Sequence, residues 1–516
     1  VGKERPYRMV PAETIPVPKT VSLRLREALR SRKDLWRFVS EFCRAAEGAG
    51  GSPYLVGGIV RDLLEGRPGK DIDLMVTGIG FETLGKIVRS LPPKKLGIRR
   101  VIASGKQFAV YKVSTSWSRE DIDVALARSE LSTGPGHRQF AIRTDGVNAR
   151  DDAGRRDFTI NSLMVSLRTS GKRVTAEVID FFGGMEDLRR KRIRGVGNPQ
   201  DRIREDPLRM LRAIRQKNER PGYVIEKRTW QAIRREAKER IGTISGERIV
   251  GELAKSLTAN PTGTVSDLYR AGILPILIPE IPNWGSGPLS RMKKRYALLE
   301  RTLDRPLPET LLFANLLVDA AGDELRQCFR EGKRESPGRK GRQGIPAGLL
   351  GRNAFRLPRT NALARRLHIP GVRKVVRMVE DLFRLSHYRM LRNPHAQIER
   401  FFSRWENPDL LHALYAAAHK AADRRKEDFR PILAKAARRK SLLSGDDVLA
   451  LGVPAGPQVE SILEQVREAT ITGAVSDREE AGRLVAFLSG DERLSTLLHR
   501  GKRSRRRVSK SPARAR

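Results

Sequence analysis

The sequence predicts an α+β protein with a small mixed-sheet head over residues 21–170, followed by an all-helical neck, body and tail. Three observations predict it. Short, mostly apolar runs, fit for strands, fall at 54–56, 71–76, 108–113 and 122–128. From Gly197 onward the apolar residues instead recur every three or four positions, the period of a helix. At 516 residues the chain is too long for a single core, so several domains are expected.

Taken in order, residues 1–20 carry Pro6, Pro11, Pro16 and Pro18 and read as an extended lead. Residues 21–47 show helical spacing through Leu23, Leu25, Leu29, Leu35, Phe38, Val39 and Phe42, which predicts one helix packed on the sheet. The run 54–56 is a buried strand. Gly57-Gly58 turns the chain, 59–65 form one or two helical turns, and Gly66, Pro68 and Gly69 end them. In the strand 71–76, Asp71 and Asp73 lie at i and i+2 on one face, while Ile72 and Leu74 point to the other. A helix at 81–90 precedes the strand 108–113, with 101–106 leading into it, and 122–128 is the next strand. The Gly-, Pro- and Ser-rich stretch 130–137 reads as a mobile loop, whose His137 needs no role beyond solvation.

The neck is expected over 171–285. Gly183-Gly184 offers either a hinge or a turn at its entry. Pro207 suits a helix first turn. Beyond it Leu208, Leu211 and Ile214 face inward, and Asp206, Arg209, Arg212 and Arg215 recur on another face. Ser245 is a plausible helix cap. Helical body segments are expected at 286–331 and 349–440, separated by a basic linker at 332–348, with amphipathic stretches at 372–387, 401–423 and 429–438. A last helical unit occupies 441–490, and 500–516 is a basic tail without an acid.

Composition narrows the partner. There are 101 Lys and Arg against 60 Asp and Glu, a net charge of +41, which calls for a polyanion. Aromatic residues are only 6%, so phosphate contact rather than base stacking carries the binding. The two cysteines, Cys43 and Cys328, are far apart with no Cys/His cluster, which argues against zinc and a disulfide framework and fits a reducing cytoplasm. No apolar run approaches a membrane span, the N-terminal residues show no signal-peptide core, and no obligate protein partner is evident.

The chemistry concentrates at 54–76. Two carboxylates on one face of a strand repel each other unless a cation lies between them, and hard oxygens suit Mg²⁺. The bare Gly57-Gly58 amides at a helix start, with Arg61 one turn in, make a polyphosphate site. Together they describe two-metal nucleotidyl transfer. The Asp206–Arg209 pair sets an acceptor beside a donor. Cytosine and adenine each present an exocyclic amine beside a lone pair and complement it; guanine and uracil do not. A second DxD, Asp121-Ile122-Asp123, lacks the glycine turn.

These segments resemble the class II tRNA CCA-adding enzymes and bacterial poly(A) polymerases. Gly57, Gly58, Val60, Arg61, Asp62, Asp71 and Asp73 match the family's GGxVRD turn and DxD. Residues 155–162 match RRDFTINA with Ser162 for Ala, 180–188 match DxxGGxxDL, 205–209 match EDxxR, and 247–253 match ERIxxEL. The family's Arg-Phe at the end of the ladder is replaced at its second residue by Gln216, which weakens neck packing. In the closing unit Gly445, Asp447, Leu451, Gly452, Gly456, Pro457, Ile462 and Leu463 match a pattern of the CCA-adding enzymes that bacterial poly(A) polymerases generally lack.

The resemblance implies a polymerase-beta-like nucleotidyltransferase head. It places Mg²⁺ on Asp71 and Asp73, with Asp123 as the third acid, and the triphosphate on Gly57, Gly58 and Arg61. Arg156 and Asp157 lie at the sugar and phosphates, Asp206 and Arg209 read the base, and Arg212 and Arg215 contact phosphates. Residues 130–137 correspond to a loop that takes part in the switch from C to A addition. The substrates implied are tRNA, CTP and ATP. A poly(A) polymerase with the same core, and a non-catalytic RNA-binding protein, stand as alternatives.

Overall fold

The computed structural model describes residues 14–69, 71–104, 109–132, 140–144, 146–171, 173–303, 306–335, 357–386, 408–421, 442–472, 475 and 477–489. The chain divides into two units, Val1–Leu277 and Ile278–Arg516.

The first unit opens with α1 (Lys19–Ser31) and α2 (Lys33–Gly48), not the single helix the spacing predicts. The break is at Arg32, whose backbone leaves the helical region at φ −89° and ψ 78°. It lets α1 lie along one strand of the sheet, Arg173–Ile179, and α2 along two others, Ser52–Val56 and Met164–Ser170. A straight helix of that length, roughly 40 Å, would not follow the twist of the sheet.

The strands are β1 (Ser52–Val56), β2 (Ile72–Thr77), β3 (Ile98–Ser104), β4 (Val110–Thr115), β5 (Ile122–Leu126), β6 (Ser129–Ser132), β7 (Phe140–Arg143), β8 (Met164–Ser170) and β9 (Arg173–Ile179). Seven of them form one sheet in the order β3-β4-β5-β2-β1-β8-β9, with β2 and β5 parallel and the other pairs antiparallel. The sheet therefore runs past residue 170, the boundary expected from sequence. β3 is a full edge strand where only a lead-in is expected, because its exposed residues lack apolar alternation. Residues 129–132 pair with 140–143, so part of the expected loop is a hairpin; 133–139 lie outside the described residues.

Strand alternation sorts the two faces. Ile72, Leu74 and Val76 of β2 and Ile122, Val124 and Leu126 of β5 join Leu29, Phe38, Val39 and Phe42 of α1 and α2 in the main core. Tyr54, Val56 and Met75 face the opposite side with Ala149, Ala153 and Met164. Asp73 and Asp123 share that second face.

Helices α3 (Gly58–Leu64), α4 (Phe81–Ser90), α5 (Pro93–Leu96), α6 (Ala149–Gly154) and α7 (Gly184–Arg189) complete the head. The Gly183-Gly184 step is a rigid turn rather than a hinge. Buried Asp180 accepts the backbone N–H groups of Phe182, Gly183, Gly184 and Met185 at 2.8–3.0 Å. A Cβ on Gly184 would collide with the Thr159 carbonyl.

The neck follows as α8 (Pro199–Glu205), α9 (Arg209–Glu219), α10 (Lys227–Arg240), α11 (Gly246–Ala259), α12 (Pro261–Arg270) and α13 (Leu274–Leu277), with a short parallel pair, β10 (Arg192–Ile193) and β11 (Val224–Ile225). Asp206 sits at the extended break between α8 and α9. Ser245 holds the N-cap position of α11, but its side chain makes no capping bond.

The second unit comprises α14 (Ser286–Thr302), α15 (Glu309–Glu335), α16 (Pro358–Arg366), α17 (Val372–Ser386) and α18 (Pro408–Ala421). Helix α15 runs into the first residues of the expected linker; 336–348, the predicted helix at 429–438 and the basic tail lie outside the described residues. Buried Arg295 joins α14 to α15 through Asn315 and Asp319, each at 2.5 Å. The last helices, α19 (Gly445–Ala450), α20 (Pro457–Thr472) and α21 (Arg478–Ser489), close around Leu443, Val448, Ile462, Val466 and Val485. Among the described residues no helix is long and apolar enough to cross a membrane.

Gln216 is buried in α9 and its Oε1 finds no partner. An unpaired buried amide oxygen costs about 1–3 kcal/mol. Gln216→Met, of similar volume, is therefore expected to stabilise the protein by about 1 kcal/mol, read as a higher denaturant midpoint at unchanged slope. An unchanged or lower midpoint would count against an unpaired oxygen there.

Candidate active site

The site is built on β2 and β5. These strands run parallel in a register that sets Asp73 directly beside Asp123. Asp71 is exposed at the entry to β2. On the next strand, β4, Lys112 is the register partner of Asp123, and its Nζ donates to Asp123 Oδ1 at 2.9 Å. On the other side, β1 ends at Val56 opposite Asp73, and Gly57 follows with φ +81°. A Cβ on Gly57 would collide with Asp73 Oδ2. Glycine is thus required twice, for the backbone angle and for the carboxylate's approach.

This crowding sets the charge state. Burial pushes the Asp73 carboxyl up to about 6; Asp123 and Asp71 add to the rise, and Arg156 and Lys112 oppose it. Lys112, bonded to Asp123, is in turn pushed up. Among the described residues no three His, Cys, Asp or Glu side chains form a closed cage. The donor set still fits Mg²⁺, which binds through one or two carboxylates and completes its shell with waters and substrate phosphates. Asp73 and Asp71 would hold it, with Asp123 adjacent.

Not every expected ligand is free to act as one. Arg61 is buried. Its Nε and Nη2 donate to Asp62 Oδ1 at 2.9 and 2.7 Å, and its Nη1 donates to Asn161 Oδ1 at 2.5 Å. Arg220 joins the same Asp62 oxygen at 3.3 Å, and Tyr223 donates to Glu65 at 2.6 Å. Arg61 therefore ties α3 to the segment at 159–161, where the sequence suggests a triphosphate ligand, and Asp62 and Glu65 tie α3 to the neck. Gly58 begins α3 beside it.

Asp157 is likewise enclosed. Its Oδ1 accepts from Phe158 N at 2.9 Å and Asn161 Nδ2 at 2.8 Å, and its Oδ2 from Arg212 Nε at 2.8 Å and Nη2 at 2.6 Å. These four bonds fill its acceptor sites, so it is an orienting group and not an open acceptor for a ribose hydroxyl. Burial would raise its pKa; Arg212, Asn161 and Arg209 override that and hold it well below the usual carboxylate range. Arg156 is paired to buried Asp152 at 2.9 Å, and its charge reaches Asp73.

The predicted ladder is present with other partners. Asp206 does not pair with Arg209; Arg248 Nη2 donates to both its oxygens, at 3.2 and 3.0 Å. Arg209 is buried, donating to Glu205 at 3.1 Å and to the carbonyls of Arg202 and Arg155 at 3.0 and 2.8 Å. Arg215 reaches Glu252 at 2.5 Å and Glu219 at 3.0 Å, so it braces α9 against α11 where phosphate contact is expected. Arg212 lies 3.9 Å from Glu252 and stays about one-third exposed.

Residues 53–194 match the poly A polymerase head domain, and 222–284 the probable RNA and SrmB-binding site of polymerase A. The chain is 30% identical over 286 residues to the CCA-adding enzyme of Bacillus velezensis, a match covering 55% of this chain and 66% of that protein. It is 34% identical over 238 residues to the multifunctional CCA protein of Paracidovorax citrulli, covering 45% and 51%. The chain belongs to the class II CCA-adding enzyme and poly(A) polymerase family. It spans about half to two thirds of the length of these curated relatives. Among solved structures, a Thermotoga maritima CCA-adding enzyme complexed with tRNA-CCA gives a TM-score of 0.55 at 19% identity, covering 90% of this chain and 98% of that one. A CCA-adding enzyme complexed with CTP gives 0.56 at 20%, covering 90% and 96%. Those two likenesses are of fold.

Lys112, Asp152, Asn161, Arg248 and Glu252 contact the predicted residues and were not singled out from the sequence. Asn161 lies inside a matched motif. Lys112 occupies an outward strand position whose meaning needs the register with Asp123.

Two outcomes follow. Asp73 favours the folded state below about pH 4, and that contribution is withdrawn as pH rises through about 6. A divalent cation offsets the repulsion, so at pH 8 Mg²⁺ should raise the melting temperature of the wild type and not that of Asp73→Asn; equal shifts would remove Asp73 from the metal site. The depressed Asp157 gives the opposite slope. Its stabilisation is complete above the unfolded value near pH 4 and lost as pH falls. Asp157→Asn is expected to cost about 3 kcal/mol at pH 7 and to flatten the acid limb of a melting-temperature profile; a parallel limb would show that Asp157 is not the titrating group.

Proposed function

We propose that the chain is a template-independent RNA 3′-end nucleotidyltransferase that uses CTP and ATP to add or repair the CCA end of tRNA. The observation that carries this reading is the in-register pairing of Asp73 with Asp123 on adjacent parallel strands, beside the Gly57 turn. It places two carboxylates and a close-approach backbone at one point, as a nucleoside triphosphate and an attacking hydroxyl require.

In the reaction the RNA 3′-hydroxyl oxygen bonds to the α-phosphorus of the nucleotide and pyrophosphate leaves. Asp123, held by Lys112, stands beside Asp73 to take the hydroxyl proton. Mg²⁺, when bound by Asp71 and Asp73, supplies a lowered hydroxyl pKa and charge neutralisation for the pyrophosphate. The Gly57-Gly58 amides receive phosphate oxygens, and Arg156 adds positive charge at the same face. Arg61 and Asp157 act as positioning residues through Asn161, which contacts both. In the neck, Asp206 accepts the exocyclic amine common to cytosine and adenine.

The CCA named for both curated relatives and the net charge of +41 support a tRNA 3′ end as the acceptor. The closing unit 441–490, whose residues match the CCA-adding pattern, favours CCA addition over polyadenylation.

The test offers tRNAs lacking A, CA or CCA with single labelled nucleotides. Addition of C, C and then A, stopping there, is expected. A long A ladder would mean a poly(A) polymerase, and no incorporation would leave an RNA-binding protein. Asp73→Asn and Asp123→Asn should each lower the rate by about 100-fold or more while tRNA retention in a gel shift persists.

A further inference from the structure

A row of side chains crosses one face of the sheet at the site. Strand register sets Lys112 on β4 beside Asp123 on β5, Asp123 beside Asp73 on β2, and Asp73 beside Val56, the residue before Gly57. Register partners on adjacent strands share a face. The row therefore carries one ammonium and two carboxylates, on the face opposite the core formed with α1 and α2.

The acids are not equivalent. Asp123 Oδ1 accepts from Lys112 Nζ at 2.9 Å. The cations that act on Asp73, Arg156 and Lys112, are themselves bonded to Asp152 and Asp123. Asp71 is exposed at the entry to β2. Asp121, just before β5, is taken by Ser114 Oγ at 2.5 Å, which leaves Asp123 as the acid bonded to Lys112.

This pairing decides how a divalent cation divides among the acids. The ammonium already supplies Asp123 with a charge-assisted bond. A cation that took Asp123 as well would bring two positive charges against that ammonium, or drive it away from its partner. Mg²⁺ binds through one or two carboxylates and needs no third.

We propose that Lys112 is a positioning residue that keeps Asp123 out of the cation's shell, leaving Asp71 and Asp73 to hold the ion and Asp123 to take the hydroxyl proton. This role rests on the reading of the three acids under the proposed function. Without the ammonium, Asp123 joins the ion. The ion is then bound more tightly, and the carboxylate it captures is a poorer base. Both members of the pair are more than one-third exposed, so it contributes little to stability and its loss leaves the head folded.

The experiment measures Mn²⁺ binding to the full chain, without nucleotide or tRNA, from the electron paramagnetic resonance signal of the free ion. Separately it measures the rate of C addition at saturating Mn²⁺. The variants are Asp73→Asn, Asp123→Asn, Lys112→Met, Lys112→Arg, Lys112→Met combined with Asp123→Asn, and Lys95→Met. The last removes a pair of the same kind, Lys95 to Glu41 at 2.7 Å between α5 and α2. Lys112→Met is expected to bind Mn²⁺ about fivefold more tightly and to add C about 10-fold more slowly. Simple damage to the site would weaken binding and rate together. Lys112→Arg, which keeps the charge and a donor, should return both values toward the wild type, and Lys95→Met should change neither. The tighter binding should vanish when Lys112→Met is made in Asp123→Asn. A gain of the same size in that background overturns the proposal, since the lysine would then act only as a charge on Asp73. An Mn²⁺ affinity or a rate within twofold of the wild type in Lys112→Met also overturns it, while C, C and A addition by the wild type keeps the proposed function. If Asp73→Asn binds Mn²⁺ as tightly as the wild type, the assignment of the cation to Asp73 falls together with the proposal.

Discussion

Two carboxylates of like charge, held side by side by strand register, set the terms for the rest of the head. Parallel pairing of β2 with β5 leaves Asp73 and Asp123 no freedom to separate, because a slip of one residue would turn Ile72, Leu74, Ile122 and Val124 out of the core. The apolar face thus enforces the polar one. Burial of a dozen or more side chains against α1 and α2 outweighs the local repulsion, which appears instead as the raised pKa of Asp73. Lys112 and Arg156 temper the repulsion without cancelling it, and any side chain at Gly57 would collide with Asp73.

The same economy of charge organises the junction of head and neck. Asp157 takes Asn161 on one oxygen and Arg212 on the other, while Asn161 also receives Arg61. Glu252 holds Arg215 from α11, and Arg220 reaches back to Asp62 on α3. Buried ion pairs of this kind add little net stability over apolar packing, but removing one partner strands the other at a cost of several kcal/mol. Their contribution is geometric. They fix where the neck helix α9 starts relative to the 155–162 segment, and with it the distance from the carboxylates to Asp206.

Much of this was legible in the residues. The strands at 54–56 and 71–76, the turn between them and the shared face of Asp71 and Asp73 follow from alternation and from glycine alone. The neck helices follow from period. What could not be read is pairing between segments distant in sequence. The position of Lys112 beside Asp123 needs the sheet order, and the exposed edge strand β3 has too little apolar alternation to announce itself. The break at Arg32 depends on which strands the two halves cover. The arginine ladder is the clearest case. Spacing places Asp206, Arg209, Arg212 and Arg215 on one face, yet each finds its principal partner elsewhere, in Arg248, Glu205, Asp157 and Glu252.

That redistribution bears on the proposed reading of a base by this surface. A carboxylate and a guanidinium one helical turn apart would satisfy each other if nothing else were near, and a mutually satisfied pair has little left to offer a base. Here Arg209 is drawn inward by Glu205 and the carbonyls of Arg202 and Arg155, so the two members of the motif do not quench one another. Asp206, on the extended break between α8 and α9, pairs with Arg248 instead. Selectivity for an amine over a carbonyl requires an acceptor that is both unsatisfied and unable to turn. An acceptor on a free helix face has the first property without the second, whereas Asp206 is held by Leu208 N and Arg248.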